Sequence, residues 1–205
     1  MKTNPHNQAG VLSRHGLSVF AATLGSALFA TGCLLGADAA VAQVTAKSAD
    51  AQIKRGLYLV RTSGCHDCHT PFKMGEKGPE PDKSRMLSGH PEQLQMPPVP
   101  QLPDGPWLTI SAATNTAHAG PWGVSFTANL TPDRDTGMGR WTEHDFVQTI
   151  RTGRHLGRGR AVLPPMPIPV YNNFTDADLK AMFAYLKSIP PVVNKVPEPV
   201  APSGR

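Results

Sequence analysis

Two cysteines and two histidines stand within five consecutive positions, Cys65-His66-Asp67-Cys68-His69. Two thiols separated by two residues can add to the two vinyl groups on one edge of a porphyrin, and the imidazole that follows is then held beneath the iron as an axial ligand. This C-x-x-C-H spacing is that of covalent c-type haem attachment. The sequence therefore predicts one covalent haem c, with thioether bonds to Cys65 and Cys68 and with His69 as the proximal ligand of iron.

Two other kinds of site also use a C-x-x-C pair. A thioredoxin-like redox pair requires a βαβ setting, and no alternation of strand and helix patterns surrounds Cys65. A zinc site requires four protein ligands, and the sequence contains no second C-x-x-C pair and no H-x₃₋₅-H pair. Haem attachment is therefore the favoured interpretation.

The second axial position of a low-spin haem electron carrier is filled by methionine or histidine. We predict Met166 as this distal ligand of iron, because the prolines of Leu163-Pro164-Pro165-Met166-Pro167 stiffen the loop that would hold its thioether. His155 is the alternative, since it stands in a loop shortly before Met166. Met182 belongs to a helical stripe and is expected in the core. The other histidines of the mature chain are interpreted as exposed polar residues: His66, His90, His118 and His144.

The N-terminal residues have the pattern of an export signal. Basic residues precede an uncharged stretch over residues 17–35, and the small residues Ala40-Val41-Ala42 follow it. This pattern is typical of a signal peptide that is cleaved after Ala42. Residues 1–42 are therefore predicted as a signal peptide, and the mature protein is predicted to be periplasmic.

Two alternatives keep the protein at the membrane. The uncharged stretch falls within the roughly 17–25 residues that a spanning helix needs, so an uncleaved anchor would hold the domain at the outer face of the inner membrane. Lipid attachment at Cys33 is the other alternative, because the Ala-Thr-Gly-Cys that ends there resembles a bacterial lipoprotein box. Cleavage after residue 42 would leave Cys65 and Cys68 as the remaining cysteines, which excludes a disulfide framework.

Length and composition indicate how the rest of the chain is organised. With 205 residues and no internal repeat, one domain is expected, and we place it at residues 43–190. Frequent prolines interrupt residues 70–133, here called the proline-rich segment, which shows no sustained period and is predicted as a long loop. Residues 191–205 are also rich in proline and are predicted as a flexible tail.

Three segments have helical signals. Residues 48–63 carry an apolar stripe of helical spacing that runs into the cysteine motif. A second helix is predicted to begin after an N-cap at Thr142 and to end at Gly153. A third is predicted to begin after Thr175 and to end before Pro190.

Several short motifs accompany these helices. Gly56-Leu-Tyr-Leu-Val precedes the cysteines, Gly120-Pro-Trp-Gly and Asn129-Leu-Thr-Pro-Asp introduce the segment 136–142, and Pro165-Met166-Pro167 precedes the last helix. Together they resemble the cytochrome c family over most of the mature chain. More narrowly, the chain is similar to the cytochrome subunits of membrane-bound alcohol and aldehyde dehydrogenases.

The resemblance implies an all-α, cytochrome c-like fold of three or more short helices around one covalent haem, with the proline-rich segment as a long insertion. It also implies that the first and last helices cross near Gly56 and that Met166 is the distal ligand. The dehydrogenase subunits carry several C-x-x-C-H motifs, whereas this sequence has one. A relay of several haems within this chain is therefore excluded.

The predicted function is one-electron transfer, without a substrate of the protein's own. The chain would link a periplasmic dehydrogenase to a terminal oxidase or another cytochrome, as a free carrier or as a docked subunit of an oxidoreductase complex. The alternative is a haem enzyme or gas sensor with an open distal site. A formal net charge of +5 can steer an acidic protein partner but is too small and dispersed to indicate nucleic acid.

Overall fold

The computed structural model describes residues 29–100 and 106–202. The chain divides into two compact units, residues 1–44 and residues 45–205. The predicted signal peptide falls largely outside the described residues, and its cleavage site and lipid-attachment alternative stay predictions. Within the described ranges, no helix combines the length and apolar character that crossing a membrane requires.

Along the described chain, two helices come first, five short strands follow, and three more helices come after the strands. The helices, numbered α1 to α5, are Phe29–Thr62, Cys65–His69, Glu143–Thr152, Ile168–Tyr171 and Asp176–Ser188. The strands, numbered β1 to β5, are Phe72–Gly75, Gly78–Pro81, Ile110–Ser111, Ala117–Gly120 and Gly123–Phe126. Single 3₁₀ turns occupy Lys83–Arg85 and His155–Gly157.

The end of α1 crosses α5 at a glycine. A Cβ atom placed on Gly56 would lie 1.9 Å from the Ala181 carbonyl oxygen and 2.8 Å from Tyr185 Cβ. Only a residue without a side chain therefore permits the two backbones to approach this closely. The predicted crossing near Gly56 is confirmed.

Sequence signals located α3 and α5 well. The Thr142 side chain accepts a hydrogen bond from the backbone N–H of Asp145, whose carboxylate accepts from the Thr142 N–H, and Gly153 ends the helix at a φ of 64°. Thr175 caps α5 by accepting from the Asp178 N–H. The apolar faces of the two helices are buried against each other, with the Phe146 and Phe183 rings 5.7 Å apart.

The expectation of an all-α fold is wrong. In the described part of the proline-rich segment, β1 pairs with β2, and β3, β4 and β5 form a three-stranded antiparallel sheet. A segment packed against a core must satisfy its backbone N–H and C=O groups, and hairpin ladders do so here. Strands of two to four residues are too short to show the alternation that sequence analysis needs. The fold combines helices with two small sheets.

The C-terminal residues are attached to the rest of the domain, in contrast to the predicted flexible tail. Val200 forms a backbone bridge with Val124 of β5. The Asn194 side chain is fully buried, and its Nδ2 donates to the carbonyl oxygens of Ser88 and His90 at 2.7 and 2.9 Å. The tail therefore holds the proline-rich segment in place.

Candidate haem site

Helix α2 carries both cysteines and the adjacent histidine. Gly64 separates it from α1 by adopting a φ of 73°, a left-handed conformation that glycine accepts without strain. Cys65 and Cys68 follow as free thiols three positions apart, so they lie on one side of a single helical turn. Cys65 is 8% exposed and Cys68 is half-buried. The positions of both thiols are therefore set by the same short helix, α2.

His69 ends this helix with its ring oriented by the proline-rich segment. Its Nδ1 lies 2.7 Å from the carbonyl oxygen of Ala128. Because a carbonyl only accepts, Nδ1 carries the proton and Nε2 keeps its lone pair, which is the form that binds a metal. Burial lowers the pKa of His69; the bond to Ala128 opposes this shift and nearby His118 adds to it. The lowered pKa favours the neutral imidazole, in which Nε2 can act as a ligand.

Two further hydrogen bonds fasten the proline-rich segment to α2. Asn115 Nδ2 donates to the Asp67 carbonyl oxygen at 2.7 Å, and the Gly89 N–H donates to the His69 carbonyl oxygen at 2.8 Å. The first of these contacts comes from the turn between β3 and β4. The segment therefore forms part of the wall around the C-x-x-C-H motif.

The cysteine thiols are not activated as a redox pair would be. Burial raises the pKa of Cys65 to about 11, with a nearby Tyr171 hydroxyl acting in the opposite direction. Burial also raises the pKa of Cys68. Reactive cysteines of oxidoreductases have lowered pKa values, because the thiolate is the nucleophile. These environments disfavour the thioredoxin-like alternative.

The Met166 loop lies beside the same core. Met166 is half-buried and packs against the apolar cluster that includes Cys65. Five residues later, the Tyr171 hydroxyl donates to the Ser63 carbonyl oxygen, just before the cysteine motif. The loop is tied on its other side by Ser125 Oγ, which donates to the Pro164 carbonyl oxygen at 2.6 Å. The structure thus connects the Met166 loop both to the start of α2 and to the sheet.

The other candidate ligands have different surroundings. His155 is exposed, and its ring meets Trp141 edge-on at a centroid distance of 5.1 Å. Met182 is 3% exposed in the core, as predicted, and Met138 is equally buried. His155 stays the predicted alternative to Met166 as axial ligand, because of its position in the sequence shortly before Met166.

Two histidines were misjudged from sequence. His90 and His118 are 0% and 4% exposed, whereas both were expected to be exposed polar residues. His90 bonds Thr116 Oγ1 and the Leu94 carbonyl, and His118 Nδ1 lies 2.9 Å from Ser111 Oγ. His118 lies on the short strand β4 and His90 lies in a loop, and neither segment has a periodic signal from which burial could be predicted.

The donor set fits haem c. Two thiols on one helical turn and a neutral imidazole with a free Nε2 are the groups that covalent attachment and proximal ligation require. Several buried side-chain atoms of the proline-rich segment have no hydrogen-bond partner among the described residues. They belong to Arg85, Ser88, His118, Trp122 and Thr127.

Comparison with known proteins gives a consistent class. The chain is 31% identical, over 73% of its length, to the cytochrome c subunit of a quinone-dependent alcohol dehydrogenase from Gluconobacter oxydans. It is 30% identical, over 71% of its length, to the gluconate 2-dehydrogenase cytochrome c subunit of Pantoea cypripedii. The resemblance to dehydrogenase cytochrome subunits is therefore confirmed, and it supports the class of electron-transfer cytochromes.

A third similarity is more local. Over 78 residues, 38% of the chain, it is 40% identical to one of the nicotinate dehydrogenase subunits of Pseudomonas putida and covers 6% of that protein. The chain spans 24% and 25% of the two cytochrome c subunits. It thus covers about a quarter or less of the length of these curated relatives. No family model matches the sequence.

Proposed function

We propose that this protein is a periplasmic c-type cytochrome that carries single electrons through one covalent haem. Cys65 and Cys68 form the thioether bonds, and His69 and Met166 ligate the iron. The observation that carries the proposal is the His69–Ala128 hydrogen bond, because it leaves Nε2 unprotonated on the residue that directly follows the paired thiols.

Attachment is a balanced addition without a net change in oxidation state. Cys65 and Cys68 would each hold the haem through a thioether, formed by addition of the S–H group across a vinyl double bond. A bound haem would supply one-electron redox chemistry. His69 and Met166 would hold the iron, which would limit reorganisation when an electron is transferred.

The partners are proposed from the similarity. Relatives whose names describe them as cytochrome subunits of dehydrogenases support a dehydrogenase as the electron donor. The acceptor would be a terminal oxidase or another cytochrome of a respiratory chain. Electron transfer, rather than an enzymatic reaction of its own, is the role that we assign to this chain.

The test begins with haem content and carbon monoxide. We expect the purified chain to carry one haem that remains attached after denaturation, and the Cys65→Ala/Cys68→Ala double variant to lose it. We expect the reduced wild type to ignore carbon monoxide and the Met166→Ala variant to bind it, because the substitution opens the distal position.

A matched control is Met74→Ala, since Met74 is 75% exposed. This variant should behave as the wild type does. Carbon monoxide binding by the wild type would contradict the proposal in favour of an enzyme or sensor with an open distal site. Binding only after His155→Ala would assign the distal position to His155 instead of Met166.

A further inference from the structure

The Met166 loop, residues 163–167, has few backbone donors of its own. Three of its five residues are prolines, which lack an N–H group. Among the described residues, its backbone hydrogen bonds stay within the loop and the helix α4 that follows it. The Met166 N–H reaches the Leu163 carbonyl oxygen at 3.3 Å, which is longer than an ordinary N–H···O bond. The position of the loop therefore depends on other parts of the chain.

Packing does little to hold this loop. Pro164, Pro165 and Pro167 are all exposed, and Met166 is half-buried. A displaced loop would therefore lose little buried apolar surface, and its free carbonyl groups could bond to water.

One buried hydroxyl joins the loop to the three-stranded sheet. Ser125 of β5 is 6% exposed, and its Oγ donates to the Pro164 carbonyl oxygen at 2.6 Å. The same Oγ lies 3.3 Å from the His118 carbonyl oxygen, so the shorter contact to Pro164 is the stronger bond. The point that is held lies two residues before Met166.

The strand that carries this hydroxyl is fixed along both edges. On one edge, Ser125 pairs with His118 of β4. On the other, the Val124 N–H donates to the Val200 carbonyl oxygen at 2.8 Å, and the Val200 N–H donates back at 2.9 Å. The tail lies so close to Gly123 that any side chain there would overlap the Val200 carbonyl oxygen. The donor is therefore held in place before it meets the loop.

Such a bond matters if Met166 ligates a metal. The groups of a binding site must be held to within about 0.5 Å, and hydrogen bonds behind the ligands supply much of this precision. A loop that is released at Pro164 would let Met166 move away by more than this distance.

We propose that Ser125 is a positioning residue for the distal ligand, because its bond to the Pro164 carbonyl keeps Met166 on the iron. The inference rests on the proposed function, which supplies Met166 as that ligand. It also gives the Gly120-Pro-Trp-Gly motif a role, since Gly123 at its end admits the tail that fixes β5. Loss of the Ser125 hydroxyl should speed the departure of Met166 without changing the number of haems.

The experiment measures how fast imidazole replaces Met166 in the ferric, full-length chain matured with haem. At saturating imidazole, the observed rate equals the rate at which the distal ligand leaves the iron. We expect Ser125→Ala to raise this rate about three- to tenfold, the factor that corresponds to one hydrogen bond of ordinary strength. Ser125→Thr keeps the hydroxyl and should return the rate towards its wild-type value.

Thr116→Val is the matched control. Its hydroxyl adjoins β4 of the same sheet and is fully buried, but it lies 3.0 Å from His90 Nδ1 and does not contact the Met166 loop. We expect this variant to lower the free energy of unfolding in urea, as Ser125→Ala does, and to leave the imidazole rate unchanged. The pair thus separates positioning of the ligand from a general loss of stability.

An unchanged imidazole rate in Ser125→Ala, or an equal rise in Thr116→Val, would overturn this inference and leave the proposed function intact. Carbon monoxide binding by the reduced wild type would overturn the proposed function and this inference with it, because Met166 would then not occupy the distal position. A wild-type chain without covalent haem would also overturn both.

Discussion

A single carbonyl group fixes the chemistry available to His69. The Ala128 carbonyl oxygen accepts a hydrogen bond from Nδ1–H, so the nitrogen left for a metal is Nε2, and the ring cannot rotate without breaking this bond. The neighbouring cysteines are fixed differently, by their place on one turn of α2 after the left-handed Gly64. The orientation of the His69 ring thus depends on one residue of the proline-rich segment, and the positions of the thiols depend on α2.

Tyr171 links the Met166 loop to Ser63, just before the C-x-x-C-H motif, through one hydroxyl. We expect Tyr171→Phe to lower the free energy of unfolding by about 1 kcal/mol, because the Ser63 carbonyl loses its donor while the ring keeps its packing. Urea titration followed by circular dichroism measures the change. Tyr58→Phe is the control, since Tyr58 is 58% exposed. Equal stability of the two variants would show that the Tyr171 hydroxyl contributes nothing.

The ends of the helices around the site are determined by residues close in sequence, whereas the contacts between these helices join residues that are far apart in sequence. Thr142 and Thr175 cap α3 and α5 with side-chain hydrogen bonds that are readable from sequence. The approach of α1 to α5 depends instead on a glycine that faces the backbone of Ala181. At position 56, helix propensity therefore favours alanine, whereas packing against α5 favours glycine.

This conflict gives a prediction with a clear sign. Propensity alone would stabilise Gly56→Ala by about 1 kcal/mol. Because the added methyl group would collide with the Ala181 carbonyl, we expect the variant to be destabilised by about 1–3 kcal/mol. Chemical denaturation measures this change in the free energy of unfolding.

The opposite substitution, Ala51→Gly, measures the effect of helix propensity alone, because Ala51 is exposed on the same helix. It should lower the free energy of unfolding by about 1 kcal/mol. A Gly56→Ala protein more stable than the wild type would show that the α1–α5 contact relaxes freely.

Across the second unit, the C-terminal residues and the proline-rich segment stabilise each other. Arg85 Nη2 and the Glu92 N–H donate to Asn194 Oδ1, at 2.7 and 3.0 Å, while Asn194 Nδ2 bonds the carbonyls of Ser88 and His90. Asn129 Nδ2 reaches the Val192 carbonyl at 2.8 Å, close in sequence to the Ala128 that orients His69. The tail thus supports the part of the proline-rich segment that contacts α2.

We expect Asn194→Ala to lower the free energy of unfolding by roughly 2–4 kcal/mol, because several buried polar groups lose their partner at once. Asn173→Ala is the comparison, since that side chain is exposed and bonds only carbonyls near it in sequence. Thermal and urea unfolding of both variants measure the difference. A loss no greater than that of Asn173→Ala would mean that the tail is held by other contacts.

The sequence alone determined the features that depend on local chemistry. The C-x-x-C-H motif, the two threonine caps and the stop at Gly153 involve residues within a few positions of one another, so their spacing carries the information. The resemblance to dehydrogenase cytochrome subunits followed from such motifs as well. The crossing of the first and last helices at Gly56 was implied by that resemblance.

Only the tertiary structure decided what happens in the proline-rich segment. Its strands are held by pairing with one another, by α2 and by the tail, and these partners are distant in sequence. The all-α expectation and the exposed placement of His90 and His118 were wrong for that reason. Burial of a polar residue in a short strand depends on what packs over it, which no period in the sequence records.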